Sequence, residues 1–157
     1  MPKLSHYDRV GQARMVDVSA KAPTRRIAEA SALVAMSRKV LKALKRNPKG
    51  DPLEVASIAG ISAAKRTAAL IPMCHTLPLS HVDVRVELCD NGVAIGSRVT
   101  TTAATGVEME ALVAAAVAAL TVYDMCKALD KGIVIRELAL EKKTGGKSGA
   151  YVRGSKR

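Results

Sequence analysis

Three charged residues lie on the apolar stripe of a long predicted helix. The stripe that contains Val113 and Leu120 continues to Asp124 and Lys127, and its backward extension reaches Glu110. Charged groups on a stripe that faces a core are costly unless they are paired or line a cavity. The pattern fits either an internal Asp–Lys pair with frayed helix ends or a pocket. In a pocket, Asp124 and Lys127 would tune each other's protonation for general acid–base chemistry.

The spacing along this helix carries a second prediction. Glu110 and Asp124 are 14 residues apart in the sequence. On a straight helix this separation is about 21 Å, which is longer than most small ligands. If both carboxylates serve active sites, opposite ends of the helix belong to different sites. We therefore predict a homo-oligomer whose active sites are shared between subunits.

A second group of reactive side chains follows the next helix upstream. Lys65 lies near the predicted end of that helix, and Cys74 and His75 follow it. Together with His81 they match no familiar zinc spacing and lack a fourth ligand, so we predict no metal site. His75 is better explained as a polar contact or a proton shuttle for an anionic substrate.

The C-terminal segment contains a glycine-rich sequence around Lys147. Its Gly-Lys-Ser resembles the end of a phosphate-binding P-loop, but Glu141 stands where that motif requires glycine. Two interpretations are left open. Either a flexible glycine loop presents Lys147 to a phosphate group, or the segment is an ordinary basic tail.

The charge of the chain is concentrated at its two ends. The 157 residues have a net charge of +11, of which residues 1–50 contribute +9, residues 51–140 contribute −3 and residues 141–157 contribute +5. Basic ends favour a polyanionic partner, either a nucleic acid or a phosphorylated small molecule, although solubility alone would also explain them.

The cysteines and the apolar runs predict where in the cell the protein is located. Three cysteines cannot all pair within one chain, and none forms a C-x-x-C motif. The N-terminus has no signal-peptide pattern, so we expect a cytoplasmic protein. The apolar run 111–122 is far shorter than the roughly 20 residues of a membrane span, so no membrane partner is expected.

The first half of the chain mixes helical and ambiguous segments. Residues 25–36 fit either a helix or a strand, because an alanine-rich composition competes with apolar residues at alternate positions. Residues 37–46 predict a short helix. Asp51 is a good N-cap for a further helix that runs to about Ile71, with a break near Gly60.

The second half predicts strands around one long helix. Alternation over residues 82–88 indicates a half-buried strand, and residues 90–92 supply the turn of a hairpin. A helix follows from residue 107 to about 129, and the last strand, 133–143, has a bulge between residues 135 and 138. This order favours an α+β fold in which a helix layer covers a largely antiparallel sheet.

We expect one catalytic domain over residues 1–157, with flexible segments at 1–14 and about 144–157.

Five motifs, in this order, resemble those of one enzyme family. They are Met15-Val16-Asp17-Val18-Ser19-Ala20-Lys21; Ala64-Lys65-Arg66-Thr67 with Leu70-Ile71-Pro72-Met73-Cys74-His75; Thr105-Gly106-Val107-Glu108-Met109-Glu110-Ala111-Leu112; Tyr123-Asp124-Met125-Cys126-Lys127-Ala128; and Gly145-Gly146-Lys147-Ser148-Gly149. Over residues 15–149 the chain resembles the cyclic pyranopterin monophosphate synthase family of molybdenum cofactor biosynthesis. Thr76 departs from the proline usual there, which changes loop stiffness but removes no chemical group.

The resemblance implies a specific reaction and assembly. The family is of lyase type: it converts 3′,8-cyclo-7,8-dihydro-GTP into cyclic pyranopterin monophosphate and releases pyrophosphate. It needs no redox cofactor of its own, although a divalent ion accompanying the triphosphate is left open. The implied fold is a ferredoxin-like sandwich in which residues 25–36 form a strand. The implied assembly is a homohexamer, a trimer of dimers with sites at the dimer interface.

The resemblance also assigns roles to residues. The implied catalytic residues are Asp124, Lys127, Lys49 and His75. The implied substrate-binding residues are Met73, Cys74, His75, Met109, Glu110, Arg26, Lys65 and Lys147. By this assignment Arg26 and several lysines hold phosphates, and Asp124 and Lys127 move protons at the base and sugar.

Two other functions are consistent with the composition. A basic α+β module could bind RNA or DNA, but the predicted strands lack the aromatic residues on which single-stranded bases stack. A structural oligomer could use the charged stripe for subunit contacts alone. Neither alternative explains Asp124 and Glu110 as well as an enzyme that acts on a purine-derived triphosphate.

Overall fold

The ambiguous segment after the N-terminal arm is a strand. A computed structural model describes residues 6–8 and 10–154, and in it β1 spans Thr24–Ala35. Every second side chain of β1 is buried, including Ala28 and Val34. This period-2 burial resolves the helix-or-strand question in favour of the strand that the family resemblance implied.

The elements follow the order expected of a helix layer on a sheet. They are β1, α1 (Arg38–Ala43), a 3-10 turn (Leu44–Arg46), α2 (Pro52–Ala64), α3 (Thr67–Leu70), β2 (Leu79–Cys89), β3 (Gly92–Ala103), α4 (Glu108–Cys126), β4 (Val134–Thr144) and β5 (Tyr151–Val152). The strands form one sheet in the order β2-β3-β1-β4-β5, and every neighbouring pair is antiparallel. The α+β class and the ferredoxin-like arrangement of β1 to β4 are therefore confirmed.

The second predicted helix is divided, but not where the sequence suggested. Asp51 caps α2 by accepting a hydrogen bond from the backbone N–H of Leu53 at 2.9 Å. The helix ends at Ala64, and α3 starts at Thr67, so the break lies after Ala64 and not near Gly60. Gly60 is buried within α2, where an added Cβ would lie 2.9 Å from the carbonyl oxygen of Ala114. This glycine therefore lets α2 approach α4 closely, and it does not interrupt the helix.

The bulge predicted in the last strand is present. Ser31 of β1 pairs with Ala139, while Leu33 pairs with Arg136, so β4 has one more residue than β1 between these pairs. Glu137 has a φ of 57°, which accommodates the extra residue. A second irregularity occurs at Glu141, and the short strand β5 beyond it was not predicted.

The predicted core-facing stripe of α4 is wrong over its C-terminal half. The side chain of Leu120 is 58% exposed, and Asp124 and Lys127 are also exposed. The buried face is made mostly of alanines: Ala111, Ala114, Ala115, Ala118 and Ala119, with Val122. Helix α4 is apolar almost all round, so hydrophobicity does not select the buried face. The size of the residues that fit against the sheet selects it.

Helix α4 is long and apolar enough, by length and composition, to cross a membrane. Its mean hydropathy reaches 1.6, but 56% of that stretch is buried inside the protein. This burial is typical of a core helix that packs against its own sheet.

The described parts of the two ends contain regular pairings. Tyr7 forms an antiparallel bridge with Ala13, and Tyr151 in β5 pairs with Lys143. The expected flexibility of 1–14 and about 144–157 stays a prediction, and residues 1–5, 9 and 155–157 lie outside the described residues.

Candidate active site

A cleft with two connected parts lies at the N-terminal end of α4. One part has a volume of about 430 Å³ and the other about 810 Å³. The two parts share four of their lining residues: Lys21, Thr105, Gly106 and Glu108. The loop before α4 therefore lies between a smaller compartment of mixed polarity and a larger cationic one.

The smaller compartment collects the segments that sequence reasoning selected for substrate contact. Its lining includes Met73, Cys74, His75, Met109 and Glu110. The first three come from the loop after α3, and the last two from the first turns of α4. Tertiary packing thus brings together two motifs that are more than thirty residues apart in the sequence.

Glu110 is the most unusual group in this compartment. Its side chain lies in the first turns of α4, only 4% of the residue is exposed, and no described residue forms an ion pair with it. Burial raises the pKa of the Glu110 carboxyl above its ordinary value, and the nearby carboxylate of Glu108 adds to the shift. A carboxyl group that is readily protonated can donate as well as accept a hydrogen bond.

Cys74 is not an activated nucleophile in this environment. Burial raises the pKa of its thiol, and the charge of Glu110 raises it further. Because the thiolate is the reactive form, this environment does not favour nucleophilic attack by Cys74.

His75 is oriented by the segment before β1. Its Nε2 lies 2.9 Å from the carbonyl oxygen of Val16. A carbonyl oxygen only accepts hydrogen bonds, so Nε2 carries the proton. Nδ1 is then the ring nitrogen that can accept a hydrogen bond from a ligand.

The larger compartment is built around Arg26. Its Nε donates to the carbonyl oxygen of Ala103 at 3.0 Å, and its Nη2 donates to that of Ala104 at 3.1 Å. These two bonds fix the plane of the guanidinium at the cleft wall. A fixed guanidinium suits planar recognition of phosphate oxygens.

The glycine-rich segment passes directly over this guanidinium. Gly146 has a φ of 80°, and a Cβ there would lie 2.0 Å from Nη1 of Arg26. Gly145 has a φ of 90°, and a Cβ there would lie 2.2 Å from the carbonyl oxygen of Arg25. Only glycine fits both positions, and the segment places Lys147 in the lining of the cleft. The geometry therefore favours the phosphate-loop interpretation over the basic-tail interpretation.

Sequence reasoning did not single out several lining residues of the cleft. Lys143 forms an ion pair with Glu108 at 3.2 Å and a hydrogen bond to Ser148 at 3.0 Å. Lys21 lines both compartments, and it belongs to the first of the five motifs. His6, in the N-terminal arm, lines the smaller compartment. The motif membership of Lys21 was the available signal, whereas nothing local distinguishes His6.

A second cluster lies at the other end of α4. Lys127 Nζ lies 2.6 Å from Asp124 Oδ1, and Lys49 Nζ lies 3.7 Å from Asp124 Oδ2. Lys49 also donates to the backbone carbonyl of Asp124 at 3.2 Å. Three of the four side chains predicted to act in catalysis therefore meet at Asp124, whereas the fourth, His75, lies in the cleft at the other end of α4.

The predicted burial of the Asp124–Lys127 pair is wrong for the single chain. The Asp124 side chain is 59% exposed and that of Lys127 is 50% exposed. The hydrogen bond and charge of Lys127 lower the pKa of Asp124, and the hydrogen bond and charge of Asp124 raise the pKa of Lys127. Mutual attraction thus stabilises the charged forms of both groups and outweighs the desolvation that opposes it.

The two clusters are separated by the length of the helix. Glu110 and Asp124 both lie within the continuous α4, so the earlier separation of about 21 Å holds. Lys65 belongs to neither cluster. It is the exposed C-cap residue of α2 and lines neither compartment of the cleft. Within residues 6–8 and 10–154, no group of three or more His, Cys, Asp or Glu side chains is placed to hold a metal ion.

Comparison with known proteins agrees with these motifs. The chain is 54% identical over 157 residues to cyclic pyranopterin monophosphate synthase of Heliobacterium modesticaldum, covering 98% of this chain and 99% of that protein. It is 50% identical over 157 residues to the synthase of the same name from Brevibacillus brevis, covering 98% of each. It is also 51% identical to a molybdenum cofactor biosynthesis bifunctional protein of Chlorobaculum tepidum, covering 94% of this chain and 48% of that protein. The MoaC family model matches residues 15–146, which include most of the cleft and the whole of the second cluster, and the chain therefore belongs to the MoaC family.

Proposed function

We propose that this protein is a cyclic pyranopterin monophosphate synthase of molybdenum cofactor biosynthesis. It converts 3′,8-cyclo-7,8-dihydro-GTP into cyclic pyranopterin monophosphate and releases pyrophosphate. Nearly full-length relatives that carry this name support the proposal. The observation that carries it is the cleft, in which a cationic compartment adjoins a compartment with a buried carboxyl and an imidazole. A purine-derived triphosphate has the same two-part chemistry.

The cationic compartment takes the phosphates. Arg26 is held in place by two backbone carbonyls, and Lys147 is presented by the glycine segment above it. Lys21 lies where the two compartments meet, so it is placed near the point at which sugar and phosphate join. Several fixed cations are needed to hold a triphosphate and to stabilise charge on the departing pyrophosphate.

The smaller compartment takes the base. Glu110 and His75 supply hydrogen-bonding groups, and Met73, Cys74 and Met109 supply apolar and polarisable contact surface. A base edge presents donors and acceptors together. A carboxyl with a raised pKa and the Nδ1 of an imidazole can together form hydrogen bonds with the donors and the acceptors of a base.

Proton transfer falls to Asp124, Lys127 and Lys49. In one chain these groups lie at the opposite end of α4 from Glu110, so one chain does not contain the whole site. The proposed site is completed by a second subunit, in a homo-oligomer that we infer to be a hexamer arranged as a trimer of dimers. Two α4 helices packed antiparallel about a two-fold axis would bring Asp124 of each chain to the Glu110 end of its partner.

The outer face of α4 supports such pairing. Between the two clusters it presents Leu120, which is 58% exposed, with the partly exposed Val117 and Ala116 one turn earlier. Ile58 of α2 is 61% exposed on the same layer of the protein. Covering this surface would also desolvate the Asp124–Lys127 pair. Desolvation raises the pKa of a carboxyl and lowers the pKa of an amine, so both pKa values would move towards neutral pH.

The proposed reaction uses no redox cofactor, and a divalent ion would enter only with the triphosphate. The proposed location is the cytoplasm, in keeping with three free cysteines.

The direct test is turnover of the cyclised substrate, followed as pyrophosphate release and product formation. Asp124→Asn should lower kcat by at least about 100-fold, because a positioned acid–base group contributes on that order. Asp90→Asn is the matched control, since Asp90 is an exposed carboxylate in the β2–β3 turn that lines neither part of the cleft and is not among the described ion-pair partners of Lys49 and Lys127. Unchanged turnover in the Asp124 variant would remove this residue from the mechanism.

A further inference from the structure

The N-terminal arm places a second histidine, His6, in the smaller compartment of the cleft. The residue is half-buried, and its Nδ1 is inaccessible and has no hydrogen-bond partner. Within residues 6–8 and 10–154, no other buried side-chain nitrogen or oxygen is left without a partner. Burying a polar atom in this way costs free energy, and proteins accept such costs mainly at functional sites.

A small hairpin holds His6 at the wall of the cleft. The backbone N–H of Arg14 donates to the carbonyl oxygen of His6 at 2.9 Å. Oδ1 of Asp8 accepts hydrogen bonds from the backbone N–H groups of Val10 and Gln12, each at 2.9 Å. The position of His6 therefore depends on the side chain of Asp8, which joins the two arms of the hairpin.

The burial of Nδ1 decides which nitrogen of His6 can meet a ligand. Nε2 is the accessible ring nitrogen, and no described residue forms a hydrogen bond with it. In a neutral imidazole, one nitrogen carries the proton and the other a lone pair. A buried N–H without an acceptor is rarer than a buried acceptor without a donor, so the proton belongs on Nε2. His6 then presents an N–H donor to the compartment.

His75 has the opposite arrangement. Its Nε2–H is taken by the carbonyl oxygen of Val16, so its Nδ1 is an acceptor. Both histidines line the same compartment. Together the two imidazoles offer one donor and one acceptor to a single ligand. A lactam, in which a carbonyl oxygen stands beside an N–H, needs this combination.

A guanine-derived base contains such a lactam, whereas an adenine-derived base does not. Guanine has the acceptor O6 where adenine has the donor amino group N6. In a 7,8-dihydro base, N7 also carries a hydrogen, so O6 is the strongest acceptor that remains. An N–H donor opposite this atom discriminates between the two bases, because it meets an acceptor in one and another donor in the other.

We propose that His6 is a specificity-determining substrate contact whose Nε2–H donates a hydrogen bond to O6 of the guanine-derived base. Asp8 is its positioning residue. The inference rests on the proposed function, because it takes the base to lie in the smaller compartment. Both residues precede the part of the chain that the family model matches, which begins at residue 15.

Isothermal titration calorimetry with GTP, ATP and inorganic triphosphate tests the contact. Counted in bonds from Cβ, the amide of glutamine reaches as far as Nε2 of histidine, and the amide of asparagine only as far as Nδ1. His6→Asn should therefore bind GTP about 10-fold more weakly than the wild type, which is the order of one hydrogen bond. His6→Gln should bind GTP as the wild type does. Neither variant should bind ATP or inorganic triphosphate more weakly, because neither ligand accepts this hydrogen bond at O6.

The matched control is His81→Asn. His81 is exposed on β2 and lines neither compartment, so its replacement should leave all three affinities unchanged. Circular dichroism verifies that each variant is folded. Unchanged affinity for inorganic triphosphate shows that the cationic compartment is intact.

The role of the hairpin is tested through Asp8. Asp8→Ala should weaken GTP binding as His6→Asn does, and the double variant should bind no more weakly than either, because both changes remove the same contact. Asp8→Asn keeps an Oδ1 acceptor and should retain wild-type affinity. Additive losses in the double variant would show that Asp8 does not act through His6.

Three outcomes would overturn the contact itself. They are a wild-type protein that binds GTP no better than ATP, a His6→Asn variant that binds GTP as the wild type does, and a His6→Gln variant no better than His6→Asn. Turnover of the cyclised substrate is measured with the same proteins. Normal turnover with GTP binding independent of His6 removes this contact alone, whereas GTP binding that depends on His6 without turnover removes the proposed reaction alone.

Discussion

Glu110 and Asp124 lie on one helix, yet their environments are opposite. Glu110 is 4% exposed and faces the cleft, whereas the Asp124 side chain is 59% exposed and forms ion pairs with Lys49 and Lys127. The continuous helix between them holds the two carboxylates too far apart for one small ligand to contact both in the same chain. A site that uses both must therefore draw them from two chains.

Subunit complementation is the first prediction. Glu110→Gln and Asp124→Asn should each be nearly inactive as homo-oligomers. Co-assembled chains should recover about a quarter of wild-type activity, because random pairing about a two-fold axis leaves one intact site in each mixed dimer. The measurement is turnover after the two variants are co-expressed, or mixed under conditions that exchange subunits.

The control mixes Asp124→Asn with Lys127→Ala. Both changes lie in the same cluster, so no mixed site regains a complete set, and activity should stay at the level of the single variants. Full activity of either single variant, or no recovery in the first mixture, would contradict the shared site.

The second prediction concerns pH and stability. Burial raises the pKa of Glu110 in the folded chain above its value in the unfolded chain. Between these two values the folded chain binds more protons, so the free energy of unfolding falls as pH rises through that interval. Glu110→Gln should abolish this fall and leave the variant more stable than the wild type above the interval.

Urea denaturation at a series of pH values from about 4 to 8 measures this effect, since unperturbed glutamate titrates near pH 4.3. Glu54→Gln, which removes an exposed carboxylate on α2, is the matched control for the loss of one glutamate. If the wild-type profile shows no component that the Glu110 variant removes, the carboxyl is not buried as described.

The third prediction concerns the glycine segment over Arg26. Gly146→Ala should raise KM strongly, because its Cβ would overlap Nη1 of Arg26 and displace the guanidinium from the phosphates. Gly149→Ala is the matched control: its φ of +68° imposes a similar backbone strain, but its Cβ meets no atom within 4 Å.

Steady-state kinetics with the cyclised substrate separate the two variants. A KM in Gly146→Ala at least about 10-fold above that of Gly149→Ala corresponds to the loss of one charge-assisted contact. Equal kinetics in the two variants would show that backbone strain alone matters and that Arg26 does not bind phosphate.

Local signals identified much of the fold. The cap at Asp51, the alternation in β2, and the bulge before Leu138 all depend on residues close together in the sequence, and the structure confirms each of them. The break after Ala64 was misplaced because glycine in a helix signals either a break or a close approach. Only the packing of Gly60 against Ala114 distinguishes these two roles.

The candidate site was predicted only in part, again because packing between distant segments decides where a side chain lies. Motif membership identified His75, Glu110 and Lys147, and the overall family resemblance identified Arg26; the structure places all four in one cleft. Lys65 shares a motif with them but lies at an exposed helix end, outside the cleft. A motif records which residues occur together, whereas side-chain direction depends on the turn of the helix on which each residue lies.

By itself, the sequence determined the types of chemistry that the chain can offer and the distance between Glu110 and Asp124, since helical rise converts residue number into length. The tertiary structure decided which side of α4 is buried. An all-round apolar helix has no preferred face until alanines on one side fit a sheet assembled from distant segments. That packing leaves Asp124 and Lys127 in solvent and buries Glu110.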